Sequence, residues 1–277
     1  MKIALGIQYD GINYNGWQKQ LSSNTLTVQG ILEDAIAKVA NHCITTFCAG
    51  RTDAKVHASF QVIHFETFSA RKITAWIYGV NRYLPSNIRV IWAKEVPDEF
   101  HARFLAFKRQ YKYLIHNSDI PNAILQGKIT PFSKKLDINL MQEGANFLLG
   151  ENDFSSFRAA NCQSLSPFRN LSYINIQRYN STIIITIEAN AFLYHMVRNI
   201  VGSLLEVGIK KHPPQWIQWL LEQKDRSLAA QWIQWLLEQK DRSLAAPTAK
   251  PDGLYLTNVE YPEEFQIPKP SNFSLII

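Results

Sequence analysis

Two charged side chains stand close together in a segment that has the features of a tight loop. Residues 50–53 read GRTD, follow a short strand-like run, and precede Val56 and His57. A carboxylate such as that of Asp53, held in a loop between two strands with a base nearby, is a candidate catalytic group. The alternative is a simple turn, in which Asp53 bonds its own backbone and Arg51 is a surface charge. The loop alone leaves both interpretations open.

Arg198 stands in a segment, 192–207, that is apolar nearly all round when it is drawn as a helix. Such a helix is normally buried, and a buried guanidinium costs several kcal/mol unless an anion and further hydrogen bonds meet it. We therefore expect Arg198 to face a carboxylate or a phosphate, and Asp53 is the most attractive acidic partner. The alternative is that the arginine extends along its stem to the surface.

Aromatic and basic residues are interleaved along the strand-like segment that begins near residue 108. Tyr111, Tyr113 and Ile115 share one face of this strand, and three cations frame them: Lys108, Arg109 and Lys112. Rings interleaved with phosphate-binding charge suit unstacked RNA bases. An amphipathic strand with tyrosines in the core is an equal alternative.

The charge of the chain indicates a polyanionic partner. Of its 277 residues, 29 are Lys or Arg and 23 are Asp or Glu, which gives a net charge of +6. The excess is concentrated in residues 71–135, which contain twelve basic and four acidic side chains. This stretch would attract a polyanion, although a modest positive charge can also be a solvated face.

The sequence carries no pattern typical of a membrane, secreted, metal-binding or nucleotide-binding protein. No apolar run approaches the roughly 20 residues of a membrane span, and the first residues alternate rather than form a signal. Cys43, Cys48 and Cys162 form no CxxC pair, and the seven histidines have no metal-ligand spacing. We expect a soluble cytoplasmic protein with no membrane partner, no metal and no cofactor.

The order of predicted elements is the same in both halves of the chain. In the first half we predict strands at 3–9, 45–49, 60–65 and 89–93, and helices at 28–39 and 71–83. In the second we predict strands at 111–115, 171–178, 182–188 and 254–259, and helices at 138–149 and 192–207. This order is βαββαβ twice.

We therefore expect an α+β fold of two ferredoxin-like or RNA-recognition-like halves, with antiparallel or mixed sheets and helices on one face. The expected domains are 1–107, which carries Asp53, and 108–277, which carries Tyr111 and Arg198. An active-site cleft is expected between them.

One repeat is of a different kind. The 16 residues QWIQWLLEQKDRSLAA occur at 215–230 and again, without a change, at 231–246. Solenoid repeats diverge and come in threes or more, so this pair has the features of a recent duplication that carries no function.

Several long stretches, taken together, resemble the TruA family of tRNA pseudouridine synthases over nearly the whole chain. They are KIALGIQYDG, FCAGRTDAKVHA, VNRYLP, FHARF, RQYKYLIHN, LLGENDFSSFRA, NAFLYHMVRNIVGSLLEVG and PDGLYL, in the family's order. The resemblance implies that Asp53 is the catalytic aspartate, Tyr111 the active-site tyrosine and Arg198 the active-site arginine. It further implies that Arg51 helps to extrude the target nucleotide.

The resemblance also implies a reaction and its partners. A homodimer would isomerise uridine to pseudouridine at positions 38, 39 and 40 of the tRNA anticodon stem-loop, without a cofactor. Whether the aspartate forms an adduct or removes a proton stays open at this point. Two rival interpretations are an RNA-binding module without chemistry and a carboxylate hydrolase that releases free uracil.

Two features depart from the family pattern. Lys55 stands where the family has glycine, so a positive φ at this position would cost roughly 1 kcal/mol. Such relatives also carry the 16-residue segment only once, whereas here a second copy of 16 residues precedes PTAKPDGLYL.

Overall fold

The computed structural model of the chain describes residues 1–20, 25–159, 162–223 and 248–270. Its contacts group the chain into two compact units. The first unit is Met1–Gln110 with Leu254–Ile277, and the second is Tyr111–Gly253. Each combines a β-sheet with helices, so the predicted α+β class is confirmed.

The sheet of the first unit has the strand order β4-β1-β3-β10, with the short β2 paired to β3. Strand β1 is antiparallel to both β3 and β4, and β2 is antiparallel to β3, whereas β10 is parallel to β3. The bounds are β1 Lys2–Tyr9, β2 Phe47–Cys48, β3 His57–Glu66, β4 Ile88–Val96 and β10 Leu254–Glu260. Seven of the eight residues of β1 are buried, so the strand lies in the core.

Helix α1 (Val28–Ala40) begins and ends where its sequence supplies caps. The Thr27 side chain accepts a hydrogen bond from the Gly30 amide, and Asn41 leaves the helix with a φ of 59°. Leu32 and Ile36 face the core and are fully buried. Burying two such side chains stabilises the unit by about 3–6 kcal/mol.

The order β1-α1-β2-β3-α2-β4 in the first unit is the predicted βαββαβ. One element differs in form from the prediction. The helix expected at 71–83 is a π-helical turn, Ala75–Gly79, followed by the short α2 (Val80–Tyr83).

The sheet of the second unit has the strand order β5-β9-β8-β7, with β6 parallel to β5. The pairs β7–β8 and β8–β9 are antiparallel. The strand bounds are β5 Lys108–Asn117, β6 Thr130–Phe132, β7 Gly150–Asp153, β8 Phe168–Tyr179 and β9 Thr182–Ala189. The helices are α3 Ile138–Asn146, α4 Met196–Gly208 and α5 Gln215–Gln223.

Two details of the second half differ from the sequence expectation. The strand predicted at 254–259 exists as β10, but it pairs with β3 in the first unit, with Tyr255 opposite His57. The helix predicted from residue 192 begins only at Met196, because His195 has a φ of 61° and stands outside the helical region. The domain division at 107/108 stays a prediction.

Most of the tandem repeat lies outside the described residues. Only the first nine residues of the first copy are described, as α5, with Trp216 and Leu220 buried. Within the described ranges, no helix is long and apolar enough to cross a membrane.

The acidic loop, residues 50–56, is fixed by backbone contacts with residues 11–17. The Trp17 amide donates to the Thr52 carbonyl (3.0 Å), and the Lys55 amide donates to the Tyr14 carbonyl (3.1 Å). Gly16 has a φ of 89°, and a Cβ there would lie 2.8 Å from the Thr52 oxygen. Glycine is therefore required at residue 16 for two reasons, its conformation and its clearance.

Lys55 adopts the positive φ that the sequence analysis considered, at 65°. A lysine in this region costs roughly 1 kcal/mol more than the glycine of the family pattern. The strain falls on the backbone two residues after Asp53 and leaves the carboxylate in place.

Arg109 is buried, which differs from its predicted RNA contact. Alternation along β5 puts it on the same face as Tyr111, and its guanidinium donates to three carbonyls of the first unit. The acceptors are Ala106 (2.6 Å), Arg103 (2.7 Å) and Ala49 (3.0 Å). Because a buried guanidinium is stable only when its donors are satisfied, these bonds give Arg109 a structural role. They hold Ala49, which directly precedes the acidic loop, against residues 103–106.

We expect Arg109→Met to lower the free energy of unfolding by about 2–4 kcal/mol, because it leaves buried carbonyls without donors. The exposed Arg82 is the matched control, and Arg82→Met should change stability by less than about 0.5 kcal/mol. Urea denaturation of the two variants measures the difference. Equal stabilities would contradict the role assigned to Arg109.

We expect Gly16→Ala to destabilise the protein more than Gly150→Ala does. The two glycines have nearly the same φ, 89° and 87°, but a Cβ at Gly150 would meet nothing within 4 Å. Gly150→Ala should therefore show only the conformational cost of about 1–2 kcal/mol, whereas Gly16→Ala adds the clash with the acidic loop. Thermal unfolding compares them, and equal shifts would show that the loop does not press on residue 16.

Candidate active site

Asp53 lies partly buried in the acidic loop, between residues that are held by hydrogen bonds. Its predecessor Thr52 is buried, and the Thr52 hydroxyl lies 2.7 Å from the hydroxyl of Tyr9 on β1. The Val56 amide closes the loop by donating to the Asp53 carbonyl at 3.2 Å. The sheet therefore positions the backbone of Asp53 from both sides, and Arg51 extends from the same loop into solvent.

His57, the base expected near Asp53, is buried at the start of β3. Its Nδ1 lies 2.9 Å from Asp10 Oδ1 and 3.1 Å from the Gly11 amide, and its ring stacks on Tyr255 at 4.6 Å. One ring nitrogen can donate to the carboxylate or accept from the amide, but not both at once. His57 therefore bonds to residues 10 and 11 and supports the loop, in contrast to the expected role as a base beside Asp53.

Tyr111 is the predicted site residue on β5. It is 8% exposed, and its ring meets Phe192 edge to face, with centroids 5.0 Å apart and an interplanar angle of 85°. This geometry is favourable for aromatic pairs and fixes the plane of the tyrosine. Phe192 precedes α4, so the same short segment orients both Tyr111 and the start of that helix.

Tyr113, two residues along, is part of the core. Its hydroxyl lies 2.7 Å from Thr130 Oγ1 and donates to the Lys250 carbonyl at 2.7 Å. Burial raises the pKa of the Tyr113 phenol. Of the two interpretations of this strand, the core position applies to Tyr113.

Arg198 lies on α4 and is partly buried, less than the sequence predicted. Its Nε donates to the Ala249 carbonyl (2.7 Å), and the Ala249 amide donates to the Arg198 carbonyl (3.1 Å). The next residue, Asn199, accepts a hydrogen bond from the Thr248 hydroxyl at 2.7 Å. The chain that follows the tandem repeat is therefore fastened to the first turn of α4.

The two lysines predicted to bind RNA are accessible to different degrees. Lys108 lies 3.8 Å from the carboxylate of Glu260, with both side chains partly exposed. Lys112 is partly buried, and burial lowers the pKa of its ammonium group. Both keep a cation beside Tyr111 in sequence, whereas Arg109 does not reach the surface.

The predicted groups are distributed over both units. Arg51 and Asp53 share the acidic loop of the first unit; in the second, Tyr111 contacts Phe192, and Arg198 lies in the first turn of α4. The ion pair between Asp53 and Arg198 stays a prediction. Within the described ranges, no group of three or more His, Cys, Asp or Glu side chains could hold a metal ion.

Three residues hold the loop in ways that the sequence expectations do not include. Thr52 is expected only as a loop residue and Tyr9 only as a strand residue. Gly16 is not among the expected site residues, although it stands between a strand and a helix in NYNGWQ, where a turn requires glycine. The contact between Tyr9 and Thr52 joins residues 43 apart in sequence, and no local pattern indicates it.

Comparison with known proteins relates the chain to one family. A family model described as tRNA pseudouridine synthase matches residues 6–105 and 145–231. The tRNA pseudouridine synthase A of Mannheimia succiniciproducens is 53% identical over 269 residues, which cover 97% of this chain and 95% of that protein. The enzyme of the same name from Vibrio vulnificus is 51% identical over 271 residues, 98% and 96% of the two chains.

Similarity to solved structures is much weaker. An archaeal box H/ACA sRNP Nop10-Cbf5 complex is 13% identical with a TM-score of 0.33, and the match covers 73% of this chain and 43% of that chain. The family match spans most of the chain and contains the acidic loop, and the chain belongs to the family of tRNA pseudouridine synthases.

Proposed function

We propose that this protein isomerises uridine to pseudouridine in tRNA, with the carboxylate of Asp53 as the catalytic group. The observation that carries the proposal is the 53% identity to a tRNA pseudouridine synthase A over 97% of the chain. The geometry of the acidic loop supports it, since backbone bonds and the hydroxyl pair of Thr52 and Tyr9 position the backbone that carries Asp53. Such preorganisation is what a catalytic carboxylate requires.

The reaction is balanced within the nucleotide. The bond from uracil N1 to ribose C1′ breaks, the base turns, and C5 bonds to C1′. The C5 proton leaves and N1 gains a proton, so neither an oxidant nor a reductant is consumed. Asp53 can act as a nucleophile at C1′ or as a base on the ribose, and both routes need it ionised.

The remaining groups have distinct tasks in this proposal. The uridine must leave its stack, at a cost of a few kcal/mol, and the exposed Arg51 would occupy the vacated place. Tyr111, whose plane is fixed by Phe192, would stack on the uracil. Arg198 would pair with Asp53 and keep its carboxylate ionised.

The finer assignments rest on the resemblance of motifs described above. We propose uridines 38, 39 and 40 of the anticodon stem-loop as targets, a homodimer as the active form, and the cytoplasm as its location. The net charge of +6 suits a tRNA partner, and Lys108 and Lys112 are the proposed phosphate contacts on β5.

We expect Asp53→Asn to abolish tritium release from a [5-³H]uridine anticodon-arm transcript, while tRNA affinity stays within a few-fold. The amide keeps the shape of the side chain but removes its charge. Asp34→Asn is the matched control, because Asp34 is an exposed acid of α1, and it should retain full release. Substantial turnover by Asp53→Asn would contradict the catalytic role.

The same assay separates the rival functions. A binding module releases no tritium, and a hydrolase of the N-glycosidic bond liberates free uracil. Nuclease digestion and chromatography of the product should give pseudouridine instead.

We expect Asp53→Asn and Arg198→Met to be coupled. If the two side chains pair, the double variant should be more stable than the sum of the single effects predicts, by about 1–3 kcal/mol. Asp34→Asn combined with Arg198→Met is the control, and its effects should add. Additive effects in the first pair, within about 0.5 kcal/mol, would show that Asp53 and Arg198 do not meet.

A further inference from the structure

Four aromatic rings of the first unit form a continuous cluster that the proposed chemistry does not use. We term Phe47, His64, His101 and Phe104 the aromatic platform. Phe47 stacks on His64 at 5.1 Å and lies 5.5 Å from His101, and His101 lies 4.6 Å from His64 and 4.3 Å from Phe104. Each ring therefore contacts its neighbours within the range of favourable aromatic pairs.

Hydrogen bonds from backbone amides hold the two imidazoles of the platform. Phe47 on β2 stands opposite His64 on β3 in the antiparallel register. The Ala102 amide donates to His64 Nδ1 at 3.1 Å, and the amides of Arg103 and Phe104 donate to His101 Nδ1 at 3.2 and 3.3 Å. The loop that carries Phe104 is therefore fastened to the imidazoles on which the rings stack.

The same bonds keep the two imidazoles neutral. A ring nitrogen that accepts a hydrogen bond carries no proton, so protonation of either Nδ1 would break these bonds. Burial lowers the pKa of His64 to about 4, and burial also lowers the pKa of His101. At neutral pH the platform is an uncharged aromatic surface rather than a pair of cations.

Two members of the platform face solvent while its centre is buried. Phe104 is 74% exposed and Phe47 is 48% exposed, whereas His64 is 2% exposed. Exposure alone does not distinguish Phe104 from other surface rings, but Phe104 and Phe47 are the exposed ends of one four-ring cluster and so present a larger apolar surface to a ligand.

Positive charge borders the exposed rings. The guanidinium of the exposed Arg103 lies over the Phe104 ring, 5.6 Å from its centroid. Arg51 and Arg103 both act on the buried Cys48, where their charges offset part of the rise in the thiol pKa that burial causes. Flat rings next to exposed guanidinium groups are the surface that single-stranded nucleic acids bind, base on ring and phosphate on cation.

One side chain joins the segments that adjoin the platform and the acidic loop. Nη2 of Arg109 donates to the Arg103 carbonyl at 2.7 Å and to the Ala49 carbonyl at 3.0 Å. Because both carbonyls bond to one nitrogen, the residue before Phe104 lies beside the residue before the acidic loop. One RNA strand would therefore reach both surfaces.

We propose that the aromatic platform binds an unpaired nucleobase of the RNA substrate close to the target uridine, by stacking on Phe104, with Arg103 against the adjoining phosphate. The inference rests on the proposed function for the identity of the RNA. It adds a subsite on the first unit that would hold the strand while the target base is extruded.

The test measures RNA binding by platform variants in the Asp53→Asn background, with an anticodon stem-loop transcript as probe. Phe104→Leu, which keeps an apolar side chain without a ring, should weaken binding roughly tenfold, and Phe104→Trp should retain it. Phe68→Ala is the matched control, because Phe68 is 83% exposed and stacks on His42 at 4.0 Å outside the platform. It should change affinity by less than about twofold. Circular dichroism and thermal unfolding of each variant exclude misfolding.

A second probe identifies the unpaired base. A transcript with 2-aminopurine in the loop should lose fluorescence on binding, and Phe104→Leu should restore most of it. A fully duplex RNA of equal length should bind wild type and Phe104→Leu alike. Unchanged stem-loop affinity in Phe104→Leu, or an equal loss with the duplex, would overturn the proposal. So would a loss of self-association without a change in RNA affinity, since the partner would then be protein.

These outcomes are independent of the catalytic proposal. If the wild-type protein makes no pseudouridine but Phe104→Leu still weakens stem-loop binding, the platform stands and the activity fails. If the protein makes pseudouridine and Phe104 substitutions leave RNA binding unchanged, the platform fails and the activity stands.

Discussion

The close approach of residues 11–17 to the acidic loop is the constraint on which the candidate site depends. Two backbone hydrogen bonds join these segments, and Gly16 leaves no room for a side chain between them. A half-exposed aspartate in a free loop would sample many conformations, and ordering it on substrate binding would cost about 1–2 kcal/mol per residue. In the folded protein these bonds already order the backbone of the loop, so the segment that carries Asp53 is positioned before any RNA binds.

Arg109 connects the segment before the acidic loop to a second segment of the first unit. Its guanidinium donates to the Ala49 carbonyl and to carbonyls of residues 103–106. These hydrogen bonds offset the cost of burying the cation. Arg109 thereby joins the residue that directly precedes the acidic loop to the segment 103–106, which contains Phe104 of the aromatic platform.

Local patterns in the sequence were sufficient to predict most elements of the fold. The alternation of β1 and the apolar face of α1 gave the correct elements, because both pack against one continuous core. The partner of β10 was not predictable, since pairing with β3 joins residues almost 200 apart. The late start of α4 depends on the left-handed backbone of His195, for which the apolar pattern gave no signal.

The surroundings of the candidate site could be predicted from the sequence only in part. Asp53, Tyr111 and Arg198 stay predictions that rest on motifs, and no local pattern indicates that Arg198 bonds to Ala249, which lies beyond the repeat. The positive charge of Arg109 predicts an RNA contact, whereas the period of two that places Tyr111 and Tyr113 on one face places Arg109 there as well. Arg109 is buried, as the periodicity indicates.

The most direct test of the central claim is a crystal structure of the protein bound to an anticodon stem-loop that carries 5-fluorouridine at a target position. Fluorine replaces the C5 hydrogen that must leave, so the reaction is expected to stop after the base has entered the site. The account predicts that the target nucleotide is extruded, with a carboxylate oxygen of Asp53 bonded to the nucleotide or within about 3.5 Å of its ribose. A target nucleotide that is extruded toward a different carboxylate, with Asp53 remote from the ribose, would contradict it.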